Sequence, residues 1–467
     1  MSIATVNPLN NETLKTFDEP ARPDIESTLE RAQKTFLEWR KRPFADRSKL
    51  MHKAADLLRE RKERYADLMT LEMGKVHKEA IAEVEKCADV CDFYADHAAE
   101  FLADEPVETE AHKSMIVYNP LGVVLAIMPW NFPFWQVFRF AAPNLMAGNV
   151  GVLKHASNVP QCALAIEEVF RDAGFPPCTF STLLISSEQV ESVIAHPVVR
   201  AVTLTGSEKA GQKVAETAGK YLKKTVLELG GSDPFIVLAD ADLEKAAKVA
   251  VQARMINTGQ SCIAAKRFIV EQKVADRFLE RMRHHMEALQ GGDPNDDVDY
   301  GPMAREDLAN DLLEQVEQSV AMGARVVLGG KRPDREGAFL EPTILTDVKP
   351  GMPAWEEELF GPVAVVIPVQ DVNEAIEVAN ASPYGLGGSV WTQDLEKGEQ
   401  VARELETGGV FINALYKSDQ RLPFGGVKRS GYGRELSYIG IREFMNQKTV
   451  WIEAKDSNRH HEKVQSE

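Results

Sequence analysis

The sequence predicts an α/β protein of two lobes, on three observations: short apolar runs recur after residue 123, helical patterns separate them, and the composition is that of an ordinary soluble globular chain. Of 467 residues, 44% are hydrophobic and 27% charged, which sets disordered and fibrous classes aside. At roughly 150 residues per domain, the length suggests about three structural units. The N-terminal region reads as helix, because Ile25, Leu29, Ala32 and Phe36 fall on one face and Leu50, Ala54 and Leu57 repeat the spacing. From Val123 the texture changes to VVLAIM, VGVLKH, AVTLTG, TVLEL and FIVL, with helical stretches such as IEEVFRDAG between them. Continuous apolar runs alternating with helices are the pattern of a parallel sheet covered on both faces. A second series, RFIVEQ, ARVVLGG, VAVVIPV, GGSVWT and GGVFIN, alternates with polar helices such as VADRFLERMRHHMEAL. A second α/β unit is therefore expected from about residue 233, with a cleft between the lobes. The last residues, AKDSNRHHEKVQSE, read as a polar tail in which His460 and His461 are incidental.

The charge balance excludes several function classes. With 54 Lys and Arg against 71 Asp and Glu, the net charge is −17, so neither nucleic acid nor an anionic membrane is an expected partner. The stretch from Ser114 to Phe138 is uncharged and long enough to span a bilayer, but Pro120, Pro129 and Pro133 break it. Cys87, Cys91, Cys162, Cys178 and Cys262 are too few and too irregularly spaced for a disulfide framework. The start, MSIATVNPLNNETLKTF, lacks the basic region and apolar core of a secretory signal. A cytoplasmic location is expected. Cys87 and Cys91 stand one helical turn apart without a second ligand pair, so no metal site is expected.

Candidate nucleotide contacts follow the apolar runs. In AVTLTGSEKAGQKVAE a strand runs through Gly206 and Ser207 into a helix, aiming free N–H groups and a helix dipole at a phosphate. A plain tight turn would use the same residues. Gln212 stands where a P-loop needs lysine, and no usable GxGxxG is present. Lys154 ends the VGVL run, placed for a ribose or phosphate. Ser157, three residues on, occupies a place where a carboxylate would repel a 2′-phosphate, which permits NADP as well as NAD.

Three residues are candidates for the chemistry. Cys262, in INTGQSCIAAKR, follows Gly259-Gln260-Ser261, a flexible approach expected to present N–H groups and lower the thiol pKa. Glu228 interrupts the apolar run TVLEL before two glycines, where desolvation would raise its pKa and suit a general base; a structural salt bridge is the alternative. Asn131, between Pro129 and Pro133, is a rigid neutral donor suited to an oxyanion.

Taken together, PWNFP (129–133), LTGS (204–207), LELGG (227–231), GQSC (259–262), EELFGPV (357–363) and PFGGVKRSGYGRE (423–435) resemble the aldehyde dehydrogenase superfamily over nearly the whole chain, with surroundings most like its bacterial succinate-semialdehyde dehydrogenases. The resemblance implies Cys262 as nucleophile, Glu228 as general base, and Asn131 with the Cys262 N–H as oxyanion hole. For NADP or NAD it implies Trp130, Lys154, Gly206 and Ser207 around the adenosine and pyrophosphate, Glu358 on the nicotinamide ribose and Phe360 beside the ring. The family's usual Lys-Pro-x-Glu reads Lys154-His155-Ala156-Ser157 here, a departure shared with NADP-accepting members.

The implied fold is a Rossmann-type cofactor domain (1–102 and 122–232), an α/β catalytic domain (233–441) and a small β oligomerisation arm (103–121 and 442–455), followed by the polar tail (456–467). The arm implies a homodimer or homotetramer. For a semialdehyde substrate the resemblance points to Arg139 on the carboxylate, with Gln136 and Ser418 in the pocket and charge from Lys417 or Arg421. The second arginine of such enzymes is replaced by Ile256, with Arg254 nearby on another register. The expected reaction is oxidation of succinate semialdehyde to succinate through a Cys262 thioester. The alternatives are oxidation of uncharged aliphatic or aromatic aldehydes and, as a different class, a catalytically silent scaffold.

Overall fold

The computed structural model describes residues 3–453. The polar tail with His460 and His461, and residues 454–455 of the expected arm, lie outside them. Every apolar run read as a strand is one. The first sheet has the order Gly431–Tyr432, Lys224–Glu228, Val199–Thr205, Val123–Met128, Val150–His155, Phe180–Thr182. Its pairings are parallel except at the edge, where Gly431 and Tyr432 run antiparallel to Glu228 and Leu227. Residues 431 and 432, expected within the second unit, thus extend the first sheet. Val123–Met128 lies between Val150–His155 and Val199–Thr205: the chain runs from it out to Phe180–Thr182 at one edge and then returns to its other side, so the strand order reverses beside it and leaves a crevice at the carboxyl ends. Those ends carry Asn131, Lys154, Gly206, Ser207 and Glu228.

The second sheet runs Arg325–Leu328, Thr343–Thr346, Val363–Val369, Arg267–Glu271, Pro234–Val237, Gly388–Trp391, Val410–Ile412. Only Arg325–Leu328 is antiparallel. A third sheet sets Met445–Ile452 against Lys113–Pro120 and Glu105–Pro106. The uncharged stretch from Ser114 divides between Lys113–Pro120, Val123–Met128 and the start of helix Trp135–Ala147. Among the described residues, no helix is long and apolar enough to cross a membrane.

Helix Arg22–Trp39 buries Ile25, Leu29, Ala32 and Phe36, the face their spacing marks. Helix Phe44–Glu60 buries Ala54 and Leu57 and leaves Leu50 half-buried. The N-terminal hairpin, Ile3–Asn7 with Glu12–Phe17, was not anticipated, because its second strand is polar and exposed and shows no alternation. It docks through Thr5, whose hydroxyl donates to Glu72 Oε1 at 2.6 Å, and through the Ala4 N–H, which donates to Ser157 O at 3.1 Å.

Candidate active site

Cys262 is presented by an unusual piece of backbone. Helix Leu243–Met255 is followed by Asn257, Thr258 and Gly259, with φ of 54°, 56° and 77°. Three consecutive left-handed residues, one of them β-branched, are costly and persist only where their surroundings over-determine them. Asn257 Nδ2 donates to Asn131 O at 2.7 Å and Gln260 O at 3.2 Å. Thr258 Oγ1 exchanges hydrogen bonds with Gly301 O and N at 3.4 and 3.3 Å. The fully buried Arg254 donates to Gly259 O at 2.6 Å and to the carbonyls of Leu359 and Val363. A Cβ at Gly259 would collide with the Gly361 backbone, so this position requires glycine for space as well as for φ.

Beyond this turn, Lys266 Nζ donates to the carbonyls of Ser261 and Cys262 at 2.9 and 2.8 Å. Burial pushes the Cys262 thiol up to about 12, and the Lys266 charge offsets this only in part. This corrects the expected lowering. The Gln260 N–H donates to Asn257 O, so the approach loop directs that donor inward, and desolvation dominates.

Asn131 hangs from a turn clamped at both ends. The His155 ring bridges the turn, with Nδ1 3.2 Å from Met128 O before it and Nε2 2.9 Å from Pro133 O beyond it; burial lowers its pKa to about 4 and keeps the ring neutral. Downstream, Glu83 Oε1 accepts the N–H groups of Phe134 and Trp135, at 2.9 Å each, where the next helix begins. Glu83 is itself paired with the buried Lys75. The buried Asn131 donates one amide hydrogen to Gln260 O at 3.0 Å, and its second stays available. Among the described residues the Cys262 N–H donates to no protein acceptor, and both residues line one cleft.

Glu228 ends its strand 2% exposed, with neither carboxylate oxygen hydrogen-bonded among the described residues. Burial first, then the nearby Glu435, raise its pKa well above the carboxylate range. The salt-bridge alternative falls away, because the neighbouring cations are committed elsewhere: Arg139 is ion-paired with Glu435, and Arg434 donates to the carbonyls of Gly426 and Gly433. The phenol of Tyr416 is also pushed up, by burial first and then by the nearby Asp233.

Two clefts meet at Cys262. One, of about 260 Å³, is lined by Trp130, Asn131, Gly206, Ser207, Glu358 and Phe360 among others. Ser207 caps the 13-residue helix Glu208–Lys220, its Oγ accepting the Ala210 N–H at 3.4 Å. Glu358 accepts the Gly231 N–H at 3.1 Å and stands 3.3 Å from Lys266 Nζ. A Cβ at Gly230 would fill this cradle by striking Glu358. Trp130 and Phe360 meet edge to face, centroids 5.8 Å apart. A helix N-terminus, a carboxylate and two aromatic rings suit the phosphates, ribose hydroxyls and flat ring of a dinucleotide. Lys154 borders a neighbouring groove of about 330 Å³ with Ser187 and Lys213. Ser157 is not brought to that groove; it borders a separate concavity beside the N-terminal hairpin.

The other cleft, of about 250 Å³, is lined by Lys86, Gln136, Arg139, Ile256, Lys417 and Ser418 among others. Gln136 borders both clefts, buried, with Oε1 unpartnered. Arg139 reaches the cleft, but besides Glu435 it donates to Thr205 Oγ1 at 3.4 Å and lies over the Phe424 ring at 4.6 Å. Arg421 supplies no charge here: it points to solvent, 2.6 Å from Asp419. Arg254 supports the Cys262 turn and does not line the cleft. Sequence reasoning missed Lys86 and Glu435. A signal existed for the first, since Glu79, Glu83 and Lys86 form a polar stripe at i, i+4 and i+7 of helix His77–Phe101 beside buried Cys87 and Cys91. Glu435 showed none, its partner lying far off in sequence.

Comparison with known proteins extends the geometry. Residues 1–450 match the aldehyde dehydrogenase family. A Synechocystis protein named "Probable succinate-semialdehyde dehydrogenase [NADP(+)]" is 56% identical over 453 residues, 97% of this chain and 100% of that protein. The succinate-semialdehyde dehydrogenase [NADP(+)] of Mycobacterium leprae is 52% identical over 456 residues, again 97% and 100%. The crystal structure of succinic semialdehyde dehydrogenase from Streptococcus pyogenes in complex with NADP+ superposes with a TM-score of 0.95 at 43% identity, covering 97% of this chain and 100% of that one. Full-length matches at such identity, on a fold whose two clefts meet at one cysteine, leave one conclusion: the chain belongs to the aldehyde dehydrogenase family.

Proposed function

We propose that this chain oxidises succinate semialdehyde to succinate with NADP as the preferred hydride acceptor. The observation that carries the reading is the position of Cys262, which borders a cleft with a cationic end on one side and a dinucleotide-shaped cleft on the other. The names of the relatives and the NADP+ complex of the streptococcal structure support the substrate and cofactor.

In this reading the Cys262 thiolate attacks the aldehyde carbon, and the Asn131 amide and Cys262 N–H receive the oxyanion. Trp130, Gly206, Ser207, Glu358 and Phe360 hold the dinucleotide, with Lys154 toward its adenosine end. When bound, the nicotinamide supplies the hydride acceptor. Glu228 takes a proton from the water that releases the acid from Cys262; its raised pKa makes it the stronger base once ionised. The three-stranded arm supports a homo-oligomer, since Met445–Ile452 is an edge strand paired on one side only among the described residues, with Trp451 and Ile452 exposed. Five free thiols suit a cytoplasmic location.

Initial rates with succinic semialdehyde and butyraldehyde, each under NADP and NAD, test the reading. The semialdehyde with NADP is expected to show the highest kcat/KM, by at least about tenfold over butyraldehyde. Equal values for both aldehydes would assign the chain to general aldehyde oxidation instead, and equal values for both cofactors would remove the NADP preference.

A further inference from the structure

We infer that Lys86 is a second ligand for the distal carboxylate of the substrate, taking the place that Ile256 leaves without charge. The inference rests on the semialdehyde reading above. Lys86 comes from helix His77–Phe101, an element that carries none of the expected site residues. Its Nζ donates to Ser418 Oγ at 2.7 Å and lies 4.1 Å from the centre of the Trp135 ring. An ammonium has three donors and no acceptor. One is used on Ser418 and one face on the indole, and among the described residues no carboxylate pairs with it. A third donor remains for the cleft, and because Ser418 accepts from Lys86, its own hydroxyl proton is free to point the same way.

The charges around the cleft make Lys86 necessary. Arg139 is ion-paired with Glu435, and Glu83 with Lys75. Glu79 lines the same cleft and accepts the Asn257 N–H at 3.1 Å; burial raises its pKa and so favours its neutral form. The remaining cations are Lys86 and Lys417. Of these, Lys86 is the one held in place, by a buried serine and an aromatic face. Burial also lowers its pKa, to about 8, as for a desolvated cation that an arriving anion would stabilise. An aldehyde placed at Cys262 with a carboxylate at its far end would lay that carboxylate across the cleft that Lys86, Arg139 and Ser418 share.

The test compares the wild type with Lys86→Met, Lys86→Gln and Lys86→Arg on succinic semialdehyde and butyraldehyde. A second readout is protection of Cys262 from iodoacetamide by succinate. Lys86→Met is expected to raise the KM for the semialdehyde roughly 10- to 100-fold, to leave kcat within about twofold, to spare butyraldehyde and to abolish protection by succinate. Lys86→Arg should restore most of the affinity. If Lys86→Met fails to fold, Lys86→Gln carries the same comparison. Equal loss on both aldehydes, or undiminished protection by succinate, would overturn the assignment. A wild type indifferent to the two aldehydes would instead remove the semialdehyde reading; a wild type and a Lys86→Met variant that discriminate alike would remove Lys86 alone.

Discussion

A thiol held up to about 12 is almost wholly protonated at neutral pH, so the resting Cys262 is a protected nucleophile. Its protonation has a direct consequence, because the thiolate is the reacting form. Alkylation of Cys262 by iodoacetamide in the free enzyme is expected to quicken about tenfold per pH unit, roughly from pH 7 to pH 10. A plateau below about pH 9 would mean that the resting site already holds a thiolate. The residue scale is also where sequence reading had least purchase. Cys262, Glu228 and Asn131 were legible because each is an anomaly in its own stretch: a thiol after a small-residue turn, a carboxylate in an apolar strand, an amide between prolines. Arg139 was legible as a guanidinium and not as the partner of Glu435, and Lys86 was not legible beside Ser418, since these contacts join positions 296 and 332 apart in the chain. The pKa direction of Cys262 followed from burial, which the flexible look of Gly259-Gln260-Ser261 concealed.

Among the elements, the turn 257–259 concentrates the backbone strain of the site. Gly259→Ala adds a Cβ against the Gly361 backbone at a φ of 77°, and Arg254→Met strips a donor from three buried carbonyls. Each is expected to destabilise by at least about 2 kcal/mol and to misplace Cys262. Thermal unfolding with kcat measured on the same samples checks this; a variant with wild-type midpoint and wild-type kcat would show that the left-handed run is incidental. The parallel strands were legible because strands covered on both faces must be continuous apolar runs. The N-terminal hairpin was not, because its outer strand is solvated.

At the scale of the whole molecule, two mostly parallel sheets are built by the same rule, and one thiol, Cys262, borders both clefts. The first sheet brings Asn131 and Glu228 on the ends of its strands, and the turn after helix Leu243–Met255 brings Cys262. In the proposed reaction the Cys262 thiol gives up its proton to solvent before it attacks the aldehyde, and Glu228 is assigned to the later release of the acyl group by water. The most direct measurement is therefore rapid mixing of Glu228→Gln enzyme with succinic semialdehyde and saturating NADP, following reduced cofactor from the first turnover onward. The account predicts a burst of about one reduced cofactor per active site at near wild-type rate, followed by a steady state lowered about 10²- to 10⁴-fold. Loss of the burst itself would contradict it, because Glu228 would then be needed to form the thioester and not to hydrolyse it.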